Sequence, residues 1–408
     1  MTADRAESPA DRIRDGLQRD PPDFSLVLGG PLYQLLRRAH LSDDALHLQR
    51  RRIVVIALLA WLPLLVLSAL GGHLLGSSVA VPFLMDVDVH VKFLVVIPLL
   101  VAAELVVHQR MRTLTTTFRD RNLIPDSAET RLQAAIASAY RLRNSISAEV
   151  LLIAFVYAIG VTIIWRHYAT LDAATWYATP GADGSRLTFA GMWYGYVSLP
   201  IFQFLLCRWY YRIFIWARLL WQVSRIELNL VPTHPDRVGG LGFLATTTYA
   251  FIPLLLAHGA LLSGQLANLI FYAGASLTQY KLEILLLMIL MVMLVVGPLT
   301  VFAPQLSRAR RTGLREYGTL AQRYVREFDA KWLRSQGGND EAFLGSGDIQ
   351  SLADLGNSFA VVQDMNVVPI TRHALLQLAA ATAAPIVPLA LTLMPLEDLI
   401  KKLFGILF

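Results

Sequence analysis

Long apolar runs alternate with basic, polar stretches along almost the whole chain. Crossing a bilayer takes about 20 predominantly apolar residues, and seven runs come to that length: 53–75, 91–109, 149–166, 188–207, 248–273, 282–304 and 374–394. The pattern predicts an all-α polytopic membrane helix bundle. Several helices are expected to continue past their apolar runs. No Pro or Gly falls between Asp126 and Gly160, so the third run should begin as a polar helix capped near Asp126 or Ser127, with Glu129 or Thr130 following. The fourth continues through "LLCRWYYRIFIWARLLWQVSRIELNL", which sets Arg208, Arg212, Arg218 and Arg225 near one stripe. The sixth continues through "SRARRTGLREYGTLAQRYVREFDAKWLRSQGG". A helix of about 40 residues there is about 60 Å long at 1.5 Å per residue, roughly twice the hydrocarbon thickness. The extensions predict a cytoplasmic helical stem.

The flanking segments divide the chain further. Residues 1–52 read as a cytoplasmic tail ending in a short amphipathic helix, where Leu32, Leu35, Leu36 and Leu41 alternate with Arg37 and Arg38; such a helix lies in the headgroup layer. Residues 53–304 hold six spans, and 305–373 form a cytoplasmic helical segment. In that segment Ile349, Leu352, Leu355, Phe359 and Val362 recur at helical spacing and should pack on the stem. Residues 374–408 hold the seventh span and an outer-surface amphipathic helix in "MPLEDLIKKLFGILF".

Composition agrees with the pattern. Of 408 residues, 55% are hydrophobic and 16% charged, against about a quarter charged in soluble domains; mean hydropathy is +0.49. The polar first 50 residues lack an apolar h-region, so no cleavable signal peptide is expected. The single cysteine, Cys207, excludes an internal disulfide. A pI near 9.5 suggests nucleic acid until the charges are placed. With odd-numbered runs pointing outward, segments 1–52, 108–148, 208–247 and 305–373 hold 9, 7, 5 and 9 Lys plus Arg, which is 30 of the 36 in the chain. Basic residues beside spans stay on the cytoplasmic side. Their placement predicts an inner-membrane protein with a cytoplasmic N-terminus and seven spans, whose contacts are the lipid bilayer and not nucleic acid.

Candidate chemistry sits where polar groups interrupt apolar runs. Proline lies in most spans, at Pro63, Pro98, Pro200, Pro253, Pro298, Pro385 and Pro388; each frees a carbonyl four residues earlier and bends its helix. Glu104 and His108 share a helix face at spacing i, i+4 and are candidates for ion or proton coupling, the plainer alternative being that both reach the headgroups. His258, Gln265 and Asn268 fall on or near one stripe of the fifth span and are candidate pathway-lining residues. Interhelical hydrogen bonding among small neighbours such as Gly259, Ser263 and Gly264 is the competing account. In "MDVDVHVK", an extended strand would project Asp86, Asp88 and His90 to one side, a donor set for a divalent cation; otherwise the aspartates favour the following helix N-terminus. In "THPDRVGGLGFL", a turn is required by Pro235, Gly239 and Gly240. His234, Asp236 and Arg237 go beyond what a turn needs, and Arg237 with the glycine N–H groups suits an anionic group; alternatively Asp236 pairs with an arginine of the stem.

No P-loop, nucleophile elbow, His-Glu-x-x-His or dinucleotide fingerprint occurs in the context each needs. The leading expectation is a transporter or channel for a small solute or ion, working as a homo-oligomer, with His234, Asp236, Arg237, Gly239 and Gly240 at the inner mouth. The alternatives are a membrane-embedded enzyme acting on a lipid-linked substrate at the inner surface, or a membrane scaffold or sensor.

Overall fold

The computed structural model describes residues 24–39, 48–75, 79–165, 175–181, 184–334 and 345–393. The expected tail before Phe24, Leu41 of the amphipathic helix, and the C-terminal surface helix lie outside these residues. Helix α1 spans Pro31–Arg38. Six further helices are long and apolar enough to cross a membrane: α2 (Gln49–Leu70), α3 (Val87–Asp120), α6 (Phe189–Val223), α7 (Phe243–Ala273), α8 (Leu277–Leu333) and α10 (Arg372–Thr392). Between α3 and α6, α4 (Asp126–Arg143) and α5 (Ile146–Gly160) meet at a 46° bend and together supply a seventh such segment. Helix α9 (Gly347–Gln363) lies along α8. A two-stranded hairpin, β1 (Ala178–Gly181) with β2 (Gly184–Leu187), is the only sheet among the described residues. The chain is an all-α multi-pass membrane protein.

The side chains sort as a bundle in lipid requires. Trp176, Trp209, Trp216, Phe93 and Phe251 are fully buried, whereas Leu58, Leu62 and Val66 of α2 and Leu282, Leu285, Leu286 and Leu290 of α8 are exposed. In water a belt of bare aliphatics would be a liability; facing lipid tails it has no such cost.

Helical hydrogen bonding changes register beside several of the prolines, though not at Pro63, which lies within α2. Lys92–Val96 and Tyr194–Ser198 are π-helical, immediately before Pro98 and Pro200. Gly297–Phe302 and Ala384–Leu393 are 3-10 and contain Pro298, Pro385 and Pro388. Pro200 deprives the Tyr196 carbonyl of its helical partner, and the Tyr157 hydroxyl of α5 donates to it at 3.2 Å. Small residues then let helices touch. A Cβ on Gly259 of α7 would collide with the Thr382 carbonyl of α10, and one on Gly264 would come 3.2 Å from the Asp88 backbone of α3.

The stem is longer than the sequence suggests. Helix α8 is continuous over 57 residues, about 85 Å at 1.5 Å per residue. Asp348 ties α9 to its far end, accepting from Lys331 Nζ at 2.8 Å and Trp332 Nε1 at 2.9 Å. Val362 of α9 is buried, Leu352, Leu355 and Phe359 are half-buried, and Ile349 is exposed.

Candidate functional site

Among the described residues the densest chemistry is a buried ionic cluster assembled from α2, α3, α5 and α6. Glu104 of α3 is its centre. One carboxylate oxygen meets Arg212 Nη1 at 2.8 Å and Arg208 Nη1 at 3.3 Å, both from α6. The other is paired with Arg52 of α2. Glu149 of α5 extends the cluster, with Oε1 3.4 Å from Arg208 Nε and Oε2 accepting the Leu32 N–H of α1 at 2.7 Å. Arg52, Glu104, Glu149, Arg208 and Arg212 are 2%, 5%, 8%, 6% and 4% exposed. Three guanidiniums thus face two carboxylates, leaving one unbalanced positive charge out of water. Arg52 Nε has no hydrogen-bond partner among the described residues, and Arg212 stacks over the Trp209 ring at 4.8 Å.

Local sequence explains how these groups converge. Arg208 and Arg212 are one turn apart on α6, so they share a face. Glu149 sits in the first turn of α5, just past the cap that Ser145 makes to the Ala148 N–H at 3.2 Å. Gly30, with φ +90°, brings α1 against the α4–α5 bend; a Cβ there would lie 2.9 Å from the Arg143 carbonyl and 3.3 Å from Glu149 Oε1.

Several expected sites rearrange against this frame. Glu104 is not paired with His108: guanidiniums take both of its oxygens, and His108 Nδ1 lies 3.1 Å from Ser25 Oγ. The run holding Asp86, Asp88 and His90 is a helix start rather than an extended strand, because Asp86 caps α3 by accepting from the Val89 N–H at 3.2 Å. Asp86 also accepts from Trp176 Nε1 and Asn268 Nδ2, each at 2.8 Å. Asp88 pairs with Lys92 at 2.8 Å, and His90 Nδ1 accepts from Trp61 Nε1 at 2.9 Å. These donors point to different partners, and no group of three possible metal ligands exists among the described residues. The expected divalent-cation site is therefore withdrawn.

Asn268 leaves the expected pathway, since its side chain is spent on the start of α3, donating to Asp86 at 2.8 Å and accepting from the Val87 N–H at 3.0 Å. His258 and Gln265 do share a recess of about 510 Å³ between α7 and α8, but leucines dominate its walls and Leu286 and Leu290 place it on the lipid-facing perimeter. His258 is hydrogen-bonded through both ring nitrogens, to the Leu254 carbonyl at 2.7 Å and the Tyr210 hydroxyl at 2.6 Å.

The His-Pro-Asp loop is a closed knot. The N–H groups of Val238, Gly240 and Gly242 donate to the Asp236 carboxylate at 2.9, 3.1 and 2.8 Å, so the anion those amides hold is internal. No stem arginine pairs with Asp236 among the described residues. His234 Nδ1 lies 2.9 Å from Asp236 Oδ1. Arg237 takes a left-handed φ of 57° beside Gly239 and Gly240 at +65° and +99°. The Arg237 carbonyl accepts from Asn366 N at 2.7 Å and its guanidinium is 3.4 Å from Asp364, while Arg121 donates to the Gly240 carbonyl at 2.9 Å. The loop therefore fastens α3 and the end of α9 to the entry of α7.

Comparison of the chain with protein-family models, curated proteins and solved structures finds no match. Function must be read from the geometry. Sequence reasoning singled out Glu104 and set Arg208 and Arg212 on an arginine stripe with Arg218 and Arg225 that would favour anions, but missed Arg52 and Glu149 as their partners. The available signal was that two carboxylates and several arginines fall at corresponding ends of four apolar runs.

Proposed function

We propose that this multi-pass protein passes a small anion across the membrane, with the Arg52–Glu104–Arg208–Arg212–Glu149 cluster as the site the anion meets. The observation that carries this is the charge imbalance of three guanidiniums against two carboxylates at buried positions on spanning segments. Ionisable groups are rare inside membrane segments and mark ion or substrate pathways when they occur. An uncompensated charge is costly there, and a bound anion removes the cost. π turns next to Pro98 and Pro200 interrupt α3 and α6 on the approach to the cluster, and broken helical ladders of this kind are tolerated where they line a cavity. The basic side faces the cytoplasm in this reading, by the placement of Lys and Arg.

An enzyme at the inner surface has weaker support, because the Asp236 and Glu104 carboxylates are both fully engaged and neither is free to act as a base. Purified protein in vesicles should raise chloride or nitrate flux above protein-free vesicles. Arg212→Gln should lower that flux roughly tenfold, equivalent to about 1.4 kcal/mol, while Arg212→Lys retains most of it. Glu104 keeps Arg52 and Arg208 in both variants, so monodisperse elution is expected. Monodisperse wild-type protein with no flux of either anion overturns the proposal.

A further inference from the structure

A second concentration of charge lies away from the buried cluster. Where the sixth apolar run ends, the stem, the last turn of α6 and the segment that follows it enclose a recess of about 850 Å³. That is within the range of small-ligand sites. Its walls carry three guanidiniums, from Arg131, Arg225 and Arg308, and two carboxylates, from Glu227 and Glu316. No ion pair joins any of these five groups among the described residues. All five residues are exposed, so both signs of charge are presented to whatever enters the recess.

The backbone behind these side chains is tied to its neighbours. Gln305 Nε2 donates to the Ser224 and Ile226 carbonyls, each at 2.6 Å, and pins the post-α6 segment to the stem. Arg131 Nη2 donates to the Arg225 carbonyl at 3.1 Å. The Arg225 guanidinium lies over the Trp221 ring, 5.2 Å from its centroid. Thr300 and Pro304 place the recess beside the end of an apolar run, the depth at which Trp and lipid headgroups sit.

From this we infer that the recess binds a phosphate ester that also carries a primary amine. A purely anionic ligand meets Glu227 and Glu316 as like charges, and a simple cation meets three arginines. A group with a phosphate and an ammonium satisfies both sets: guanidiniums bind phosphate oxygens through planar, charge-assisted hydrogen bonds, and the carboxylates receive the ammonium. Two sources share this chemistry, an aminophospholipid headgroup and a soluble aminoalkyl phosphate. The inference does not depend on anion passage.

The test uses full-length protein in detergent, stripped of lipid and offered dioleoyl phosphatidylethanolamine or dioleoyl phosphatidylglycerol, with retained lipid counted by native mass spectrometry. Phosphatidylethanolamine should be retained roughly tenfold better. Arg225→Gln combined with Arg308→Gln should lower its retention roughly tenfold. Glu227→Gln combined with Glu316→Gln should raise phosphatidylglycerol retention and erase the preference. All four side chains are exposed, so these variants should elute as the wild type does. Displacement of the lipid by millimolar O-phosphoethanolamine assigns the recess to the soluble ester, and its failure to displace assigns it to the lipid. Equal retention of both lipids by the wild type, or unchanged phosphatidylethanolamine retention in the arginine variant, overturns the inference.

Discussion

Asp236 takes three backbone N–H groups from residues within six positions of itself, and its behaviour with pH follows from that. Burial pushes its carboxyl up, but the N–H groups of Val238, Gly242 and Gly240, with His234 beside them, outweigh burial and hold it below the ordinary aspartate value. A carboxyl lowered by folding contributes stability above its unfolded value, and that contribution disappears as pH falls through the folded one. Asp236→Asn should therefore cost about 1–3 kcal/mol near neutral pH. Thermal melts of wild type and variant should converge in acid; a gap that does not narrow would show that the charge is not what matters. The sequence marked this loop by residue type, yet it could not show that the acceptor for the glycine amides was Asp236 itself. That outcome depends on a left-handed Arg237 followed by two left-handed glycines, a local conformation with no periodic signature.

Among the elements, the apolar runs and their prolines were legible because lipid demands length and proline demands a broken ladder. Less legible was how each helix repairs the break, through π turns before Pro98 and Pro200 and 3-10 turns around Pro298 and Pro388. Those repairs use neighbours, as the Tyr157 hydroxyl does for the Tyr196 carbonyl. Helix proximity at Gly259 is likewise a pair property. Gly259→Val should force α7 from α10 and cost about 1–3 kcal/mol by overpacking, read as a lowered melting temperature in detergent. An unchanged melt would mean that the Thr382 carbonyl does not approach α7 so closely. The strand reading of "MDVDVHVK" failed for a related reason: alternation over so few residues does not separate a strand from a capped helix start, and Asp86 with tertiary donors Trp176 and Asn268 chose the helix.

At the scale of the whole molecule, six helices qualify as spans and the bent α4–α5 pair offers a seventh. If that pair crosses, the chain has an odd number of spans and its ends lie on opposite sides. Reporter tags fused at both termini should then score in different compartments, and the same compartment for both would remove one crossing. By itself the sequence determined the all-α membrane class, the apolar runs and the sorting of basic residues, because burial in lipid acts on composition over about 20 consecutive residues and needs no partner. Only the tertiary structure decided which charges meet. Arg52, Glu104, Glu149, Arg208 and Arg212 lie far apart in the chain and become one cluster when antiparallel helices align their ends. That alignment is set by how the helices carrying them pack, as at Gly30, where α1 closes on the α4–α5 bend beside Glu149, rather than by any pattern along the chain.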